Sequence, residues 1–266
     1  MRILHLGKFY PPHAGGIERY VAELAAQQCA AGHDVAALVH ATPGVTVAPS
    51  RIDRGGVRVE TVPCHGQLVF APISPGWAQR FRRLTDEFRP DILHIHVPNV
   101  SAFWLLASRR ARSLPWVLHW HADIPAESRH PGLRLGYPVY RGFERQMIRR
   151  ADVVIATSQA YAEASTPLRK YARNLHVVPL GIADAPSAGL APTWPGGGLR
   201  LLAVGRLSYY KGFDVLLRAL VDCPDASLLL VGHGDQAAAL SSQLRQLGLQ
   251  DRVRMAGHLD DAALEA

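Results

Sequence analysis

"RILHLGKFYPPHAGGIERYVAELAAQQCAAGHDVAALVH", residues 2–40, contains the reading that decides the fold. A short apolar run (2–6) leads into a loop with two prolines and two adjacent glycines, Gly15 and Gly16. A helical pattern follows over 17–32, then a second apolar run over 34–40. Strand, glycine turn, helix and strand make a β-α-β unit, whose geometry forces the two strands to be parallel. The turn also answers why the glycines stand there. At the carboxyl end of a parallel strand, a helix N-terminus presents free N–H groups and the positive end of its dipole, and glycines leave out the Cβ atoms that would hold a phosphate or sugar away. A tight turn needing glycine for its dihedrals explains the pair as well. The spacing is not G-x-G-x-x-G, so the dinucleotide fingerprint is absent.

The same rhythm runs on. Strands are predicted at 57–63, 91–96, 116–121, 152–157 and 175–178, and helices at 76–89, 100–112, 133–150 and 159–170. Runs such as "DVVIAT" (152–157) lack polar alternation, as strands covered on both faces do, so the class is α/β with an open parallel sheet. The stretch "ADAPSAGLAPTWPGGG" (183–198) has no period and reads as a linker. Beyond it the pattern restarts with strands at 199–205, 227–232 and 252–257, helices at about 212–221 and 235–248, and an incipient helix at 260–266. The expected organisation is therefore a first domain over 1–183, a linker over 184–198, and an incomplete second domain over 199–266.

Composition limits the function. Of 266 residues, 48% are hydrophobic and 19% charged, so a packed core is affordable and disorder does not dominate. No apolar run approaches the roughly 20 residues of a membrane span, and no secretory signal is visible at the N-terminus. Three scattered cysteines, Cys29, Cys64 and Cys223, suggest neither a zinc site nor a disulfide framework and fit a reducing cytoplasm. A formal charge of +7 favours an anionic partner. Residues 77–89 set Trp77, Phe81, Leu84 and Phe88 at helical spacing beside Arg80, Arg82 and Arg83, which fits either a core-facing helix or a helix lying on an anionic membrane; "RGFERQMIRR" (141–150) allows the same two readings.

Two further groups of residues could carry chemistry. "HIH" ends one strand with His94 and His96, and "HWHAD" ends the next with His119 and His121 on one face and Asp123 following. Imidazoles with a carboxylate suit zinc or iron, and structural histidines explain them equally. In "AVGRLSYYKGFDVLLRAL" (203–220), Arg206 directly follows a strand and Lys211 precedes a helix, so two cations are available to compensate a diphosphate leaving group, with two solvated loop cations as the plainer alternative.

These segments carry a resemblance. "GGIERY" (15–20), "PDILHIH" (90–96), "VLHWHADI" (117–124), "ADVVIATS" (151–158), "VVPLGI" (177–182), "VGRLSYYKG" (204–212) and "LLVGHGD" (229–235) occur in the order seen in family 4 glycosyltransferases of GT-B fold. The resemblance implies two Rossmann-like domains facing each other across a cleft and transfer of a hexose, with mannose as the guess, from a nucleotide sugar to a polysaccharide or lipid-linked acceptor. It implies retention at the anomeric carbon and no metal or other cofactor; no nucleic acid partner is expected, and the expected place is the cytoplasm, with the basic helical segments allowing a peripheral position on an anionic surface at the inner face of a membrane. It assigns Arg206 and Lys211 to the donor diphosphate, Gly15 and Gly16 to the donor phosphates, Gly232 and Gly234 to a loop beside the nucleotide, His121 to the reacting sugar as the catalytic candidate, and Asp123 to a polar sugar contact. The family's paired glutamates are expected beyond residue 266, and Glu265 does not supply them. The alternatives are an inactive, truncated remnant acting as a binding module, and a metal-dependent hydrolase using His94, His96, His119 and His121.

Overall fold

The computed structural model describes residues 1–13, 15–42, 48–53, 55–68, 71–124, 131–181, 194–195 and 198–259, apart from the side chains of 68 and 131–134. The chain divides into two compact units, Met1–Ile182 and Ala183–Ala266. Most of the expected linker, and the helix expected at 260–266, lie outside the described residues.

The first unit runs β1 (Arg2–Leu6), α1 (Gly16–Ala30), β2 (Asp34–His40), β3 (Ser50–Ile52), β4 (Arg58–Val62), β5 (Gln67–Leu68), β6 (Ala71–Pro72), α2 (Trp77–Phe88), β7 (Ile92–Val97), α3 (Trp104–Ala107), α4 (Arg109–Arg112), β8 (Trp116–Trp120), α5 (Pro131–Arg150), β9 (Val153–Ala156), α6 (Gln159–Ala164), α7 (Thr166–Tyr171) and β10 (Leu175–Val177). Eight strands form one sheet in the order β10-β9-β8-β7-β1-β2-β4-β3, parallel except for the β3–β4 pair. The chain leaves β1 toward β2 on one side and β7 joins β1 on the other, so the switch point, where sheets of this kind bind ligands, lies between β1 and β7. Leu4, Leu6, Leu93, Ile95 and Leu118 face a large core with Trp77, Trp116 and Met147, while Ile3, Val35 and Ala37 pack on the other side against Val21 and Ala25 of α1.

The differences from expectation have local causes. The helix expected at 100–112 begins as a 3-10 turn (Val100–Phe103) and breaks at Ser108, whose extended backbone and hydroxyl cap α4 by accepting from Ala111 N at 3.2 Å. The helix expected at 159–170 divides at Ser165, which caps α7 while Pro167 sits in its first turn. β3, β5 and β6 have two or three residues each, too few for a period to show. On α2, Trp77, Phe81 and Leu84 are buried in the core. Arg80 pairs with the buried carboxylate of Glu60, which also accepts from Arg58 Nε and Ser50 Oγ. The membrane-facing reading of 77–89 is thereby replaced: the apolar stripe fills the core, and one of its arginines ties the helix to β4.

The second unit contains β11 (Leu199–Val204), α8 (Phe213–Ala219), β12 (Ala226–Val231), α9 (Ala237–Gln246) and β13 (Val253–Gly257), with a parallel sheet in the order β11-β12-β13. Its core joins Leu207, Phe213, Leu217, Leu228, Leu230, Leu240 and Val253. Leu202 and Val204 of β11 are half exposed on the opposite face.

Candidate functional site

In the second unit, two loops leave adjacent strands and run side by side. Leu207 N donates to His233 O (2.9 Å), Gln236 N donates to Leu207 O (2.9 Å), and Gly205 N donates to Val231 O (3.0 Å). Glycine is required here by proximity: a Cβ at Gly232 would overlap the Gly205 carbonyl, and one at Gly234 would overlap the Leu207 backbone. The glycines expected beside a nucleotide thus hold the "VGHGD" loop against the loop carrying Arg206. Lys211 closes a 3-10 turn (Tyr209–Lys211) that ends at Gly212 in the left-handed region, and its Cε lies 3.8 Å from where a Gly205 Cβ would stand. Arg206 and Lys211 are both exposed, and among the described residues neither has a carboxylate partner. Two cations with no carboxylate partner among the described residues, at the carboxyl end of β11, are a candidate anion site.

In the first unit, Gly15 is extended (φ 177°, ψ 147°) and Gly16 opens α1, so neither needs glycine for its dihedrals. The turn-geometry explanation fails. A Cβ on Gly16 would meet nothing within 4 Å, whereas one on Gly15 would run into the movable carboxylate of Glu18. The N-cap of α1 is Gly15, which has no side chain to cap the helix, and Glu18 stands in the first turn.

Five histidines come together beside that helix. The parallel register sets His5 against His94 and His96 against His119, and the alternation of β7 and β8 turns all of them to one face. They form two decks. His5, His96 and His121 run edge to edge, with His5 Nδ1 2.9 Å from His96 Nε2 and His96 Nδ1 3.0 Å from His121 Nε2. His94 and His119, 3.3 Å apart through Nε2 and Nδ1, stack on the first three: His94 lies 4.8 Å from His5 and 4.6 Å from His96, and His119 lies 4.4 Å from His121. Tyr20 of α1 meets His119 and His121 edge-on. Burial suppresses protonation throughout, lowering His5 and His119 to about 4 and His121 to about 3, and His94 and His96 well below the usual value.

The histidines also make two triads that could hold a metal, His5–His94–His96 and His96–His119–His121. His96 belongs to both, and both of its nitrogens are hydrogen-bonded to other histidines. The near-parallel rings, 2° apart for His119 and His121, put their lone pairs in separate planes rather than on one point. The donor set is right for a metal and the arrangement is not.

Asp123 has a structural task that its sequence position did not reveal. Its Oδ1 accepts from Trp120 Nε1 (2.7 Å), Tyr161 OH (2.8 Å) and Ser165 Oγ (2.9 Å), tying the end of β8 to α6 and α7. Sequence reasoning missed Glu144, a buried carboxylate on α5. Burial is the main cause lifting it to about 7, opposed by the charge of Arg141 and assisted by that of Asp123. The signal was available as one acid among the apolar positions of "RGFERQMIRR".

The first unit's doubly wound, mostly parallel sheet and the second unit's paired cations, at the carboxyl end of a parallel strand, define an α/β protein of Rossmann-like units. Residues 15–181 match the family described as "Glycosyl transferase 4-like domain", and residues 191–266 match "Glycosyl transferases group 1". The chain belongs to the glycosyl transferase 4-like family. It is 29% identical over 264 residues to the phosphatidyl-myo-inositol mannosyltransferase of Mycolicibacterium smegmatis, with 93% of this chain and 64% of that protein aligned. It is 27% identical to the O-antigen chain mannosyltransferase C of Escherichia coli, over 98% of this chain and 68% of that protein. This chain therefore spans about two thirds of the length of such relatives. Among solved structures, Anabaena HepE in complex with UDP-glucose superposes with a TM-score of 0.69 at 24% identity, covering 99% of this chain and 71% of that one, which shows a common GT-B fold.

Proposed function

We propose that the protein is a retaining glycosyltransferase that moves a hexose, mannose in the first instance, from a nucleotide sugar to a polysaccharide or lipid-linked acceptor without a metal. The observation that carries this is the pair Arg206 and Lys211, exposed and, among the described residues, without carboxylate partners at the carboxyl end of β11. The acceptor hydroxyl oxygen bonds to the anomeric carbon as the bond from that carbon to the diphosphate breaks, and the hydroxyl proton passes to the departing phosphate oxygen. Charge accumulates on that oxygen, where two guanidinium or ammonium groups lower the barrier most. Gly15 and Gly16 admit the donor phosphates to the N-terminus of α1, Gly232 and Gly234 shape the nucleotide loop, and His121 meets the donor sugar. The relatives' printed activities, mannosyl transfer to phosphatidylinositol and to O-antigen chains, support the sugar and acceptor classes.

A peripheral position on an anionic membrane, at its cytoplasmic face, fits the same acceptors. Leu135, Val139 and Phe143 stand exposed at four-residue spacing on α5, beside Arg141. No helix among the described residues is long and apolar enough to cross a membrane.

The test is calorimetric titration with GDP and UDP. Arg206→Ala should weaken nucleoside diphosphate binding about 10- to 100-fold, the loss of one charge-assisted contact. Unchanged affinity in the folded variant would overturn the assignment.

A further inference from the structure

The histidine decks have a direction that Gln28 fixes. Gln28 stands near the C-terminal end of α1, and its Oε1 lies 2.6 Å from His5 Nε2. A carbonyl oxygen can only accept, so the proton of His5 is on Nε2 and its Nδ1 is bare. His96 must then donate from Nε2 to His5 Nδ1 across 2.9 Å, which leaves its own Nδ1 bare. His121 in turn donates from Nε2 to His96 Nδ1 across 3.0 Å. Each ring is neutral, because burial keeps all three unprotonated near pH 7, so one proton per ring settles the whole row. The ring planes agree, tilted by 18° and 20° at the two junctions, as in-plane hydrogen bonds require. His94 and His119 cover the row from one side.

We infer that Gln28 acts as a positioning residue for His121, setting its tautomer through His5 and His96 so that His121 presents a bare Nδ1, a hydrogen-bond acceptor. The consequence is a choice of ligand chemistry. A bare imidazole nitrogen can receive the O–H of a sugar hydroxyl and cannot serve a phosphate oxygen, which has no proton to give. Turned the other way, with the Gln28 amide N–H toward His5, every bond in the row would reverse and His121 would offer Nδ1–H, a donor suited to phosphate. The inference rests on the proposed meeting of His121 with the donor sugar only for its effect on turnover; the tautomer itself belongs to the protein without ligand.

The test reads the tautomer directly. In protein labelled with ¹⁵N-histidine, long-range proton–nitrogen correlation spectra, assigned with a His121→Asn control, should show His5, His96 and His121 each protonated on Nε2. Gln28→Leu should convert His121 to a mixture of both tautomers. Gln28→Glu, which keeps an acceptor oxygen, should restore Nε2–H. A proton on Nδ1 of His121 in the unaltered protein overturns the inference, as does an unchanged His121 spectrum in Gln28→Leu. Should Gln28→Leu fail to fold, the unaltered protein and Gln28→Glu still decide. In turnover, Gln28→Leu should raise KM for the nucleotide sugar roughly 3- to 10-fold, the value of one hydrogen bond, while affinity for the nucleoside diphosphate alone stays the same. Equal losses in both would mark a merely structural role. Loss of diphosphate binding in Arg206→Ala with the tautomers intact would separate this inference from the donor assignment.

Discussion

Gly232 and Gly205 are in backbone contact across β11 and β12, so closely that a side chain on Gly232 would overlap the Gly205 carbonyl oxygen. Gly232 also has φ 139°, a region L-residues rarely adopt. Gly232→Ala combines strain with displacement of the Arg206 loop, and about 3 kcal/mol or more of stability should be lost. Gly212→Ala is the comparison. It has positive φ (68°) but nothing within 4 Å of its Cβ position, so about 1–2 kcal/mol is expected. Urea unfolding of the two variants checks the ranking. Equal costs would mean that the loops can separate freely.

Gly16 should behave in the opposite way. Its Cβ position is open and its φ is not positive, so Gly16→Ala should leave the urea midpoint unchanged or slightly raised, since alanine favours helix by up to about 1 kcal/mol. If the space is kept for donor phosphates, affinity for the nucleotide sugar should still fall, by about 10-fold or more. A variant as stable and as tight-binding as the parent would remove Gly16 from the site.

Most of the sheet was legible in the sequence because parallel strands buried on both faces read as unbroken apolar runs, and β7, β8 and β9 carry that signal strongly. β3, β5 and β6 were not legible, since two or three residues cannot show alternation. The site divides the same way. Arg206 and Lys211 stand out as candidates because the sequence places both in one loop between a predicted strand and a predicted helix. The histidine decks were visible only in pieces: alternation paired His119 with His121, but the join to His5 depends on the register of β1 with β7, and Gln28 arrives from a helix with no marker of its own. Asp123, in the loop after a strand, is a candidate sugar contact by resemblance, and only the tertiary arrangement reveals Tyr161 and Ser165 donating to it.

The five histidines make the protein sensitive to acid above the usual carboxylate range. Unfolded, each takes up a proton near pH 6.5, whereas burial lowers native His5 and His119 to about 4 and His121 to about 3, and holds His94 and His96 well below the usual value. The unfolded state therefore binds more protons below pH 6.5, and stability falls as pH falls. Between pH 7.5 and 5.5 the loss is about 1.4 kcal/mol for each of His5, His119 and His121, or about 4 kcal/mol for the three, and His94 and His96 add to it in the same direction. Glu144 works the other way. With its native value raised to about 7, it takes up a proton in the folded state first and returns about 2 kcal/mol over the same interval. The histidines win, and the net loss is about 2 kcal/mol or more, a sizeable share of the stability of a typical domain. Urea unfolding at pH 7.5 and 5.5 measures it. Glu144→Gln should be more stable than the parent at pH 7.5 and lose stability more steeply toward pH 5.5. Equal stability of the parent at both pH values would mean that the native decks accept protons readily.

Zinc tests whether the decks are a metal site in disguise. Both candidate triads need His96, and binding through it would break its hydrogen bond to His5 or to His121. Three imidazoles around a tetrahedral zinc aim their lone pairs at one point about 2 Å from each nitrogen, whereas His119 and His121 lie in planes only 2° from parallel. Coordination would therefore require the stack to come apart in a close-packed interior, at a cost that falls on the core itself. The thermal midpoint should be unchanged by a modest excess of Zn²⁺, and prior treatment with a chelator should leave both the midpoint and nucleoside diphosphate affinity where they were. A rise of several degrees with zinc, lost in His96→Gln, would show preferential binding to the folded state and revive the hydrolase reading. That result would also disorder the row through which Gln28 reaches His121, so the two measurements bear on the same five rings from opposite sides.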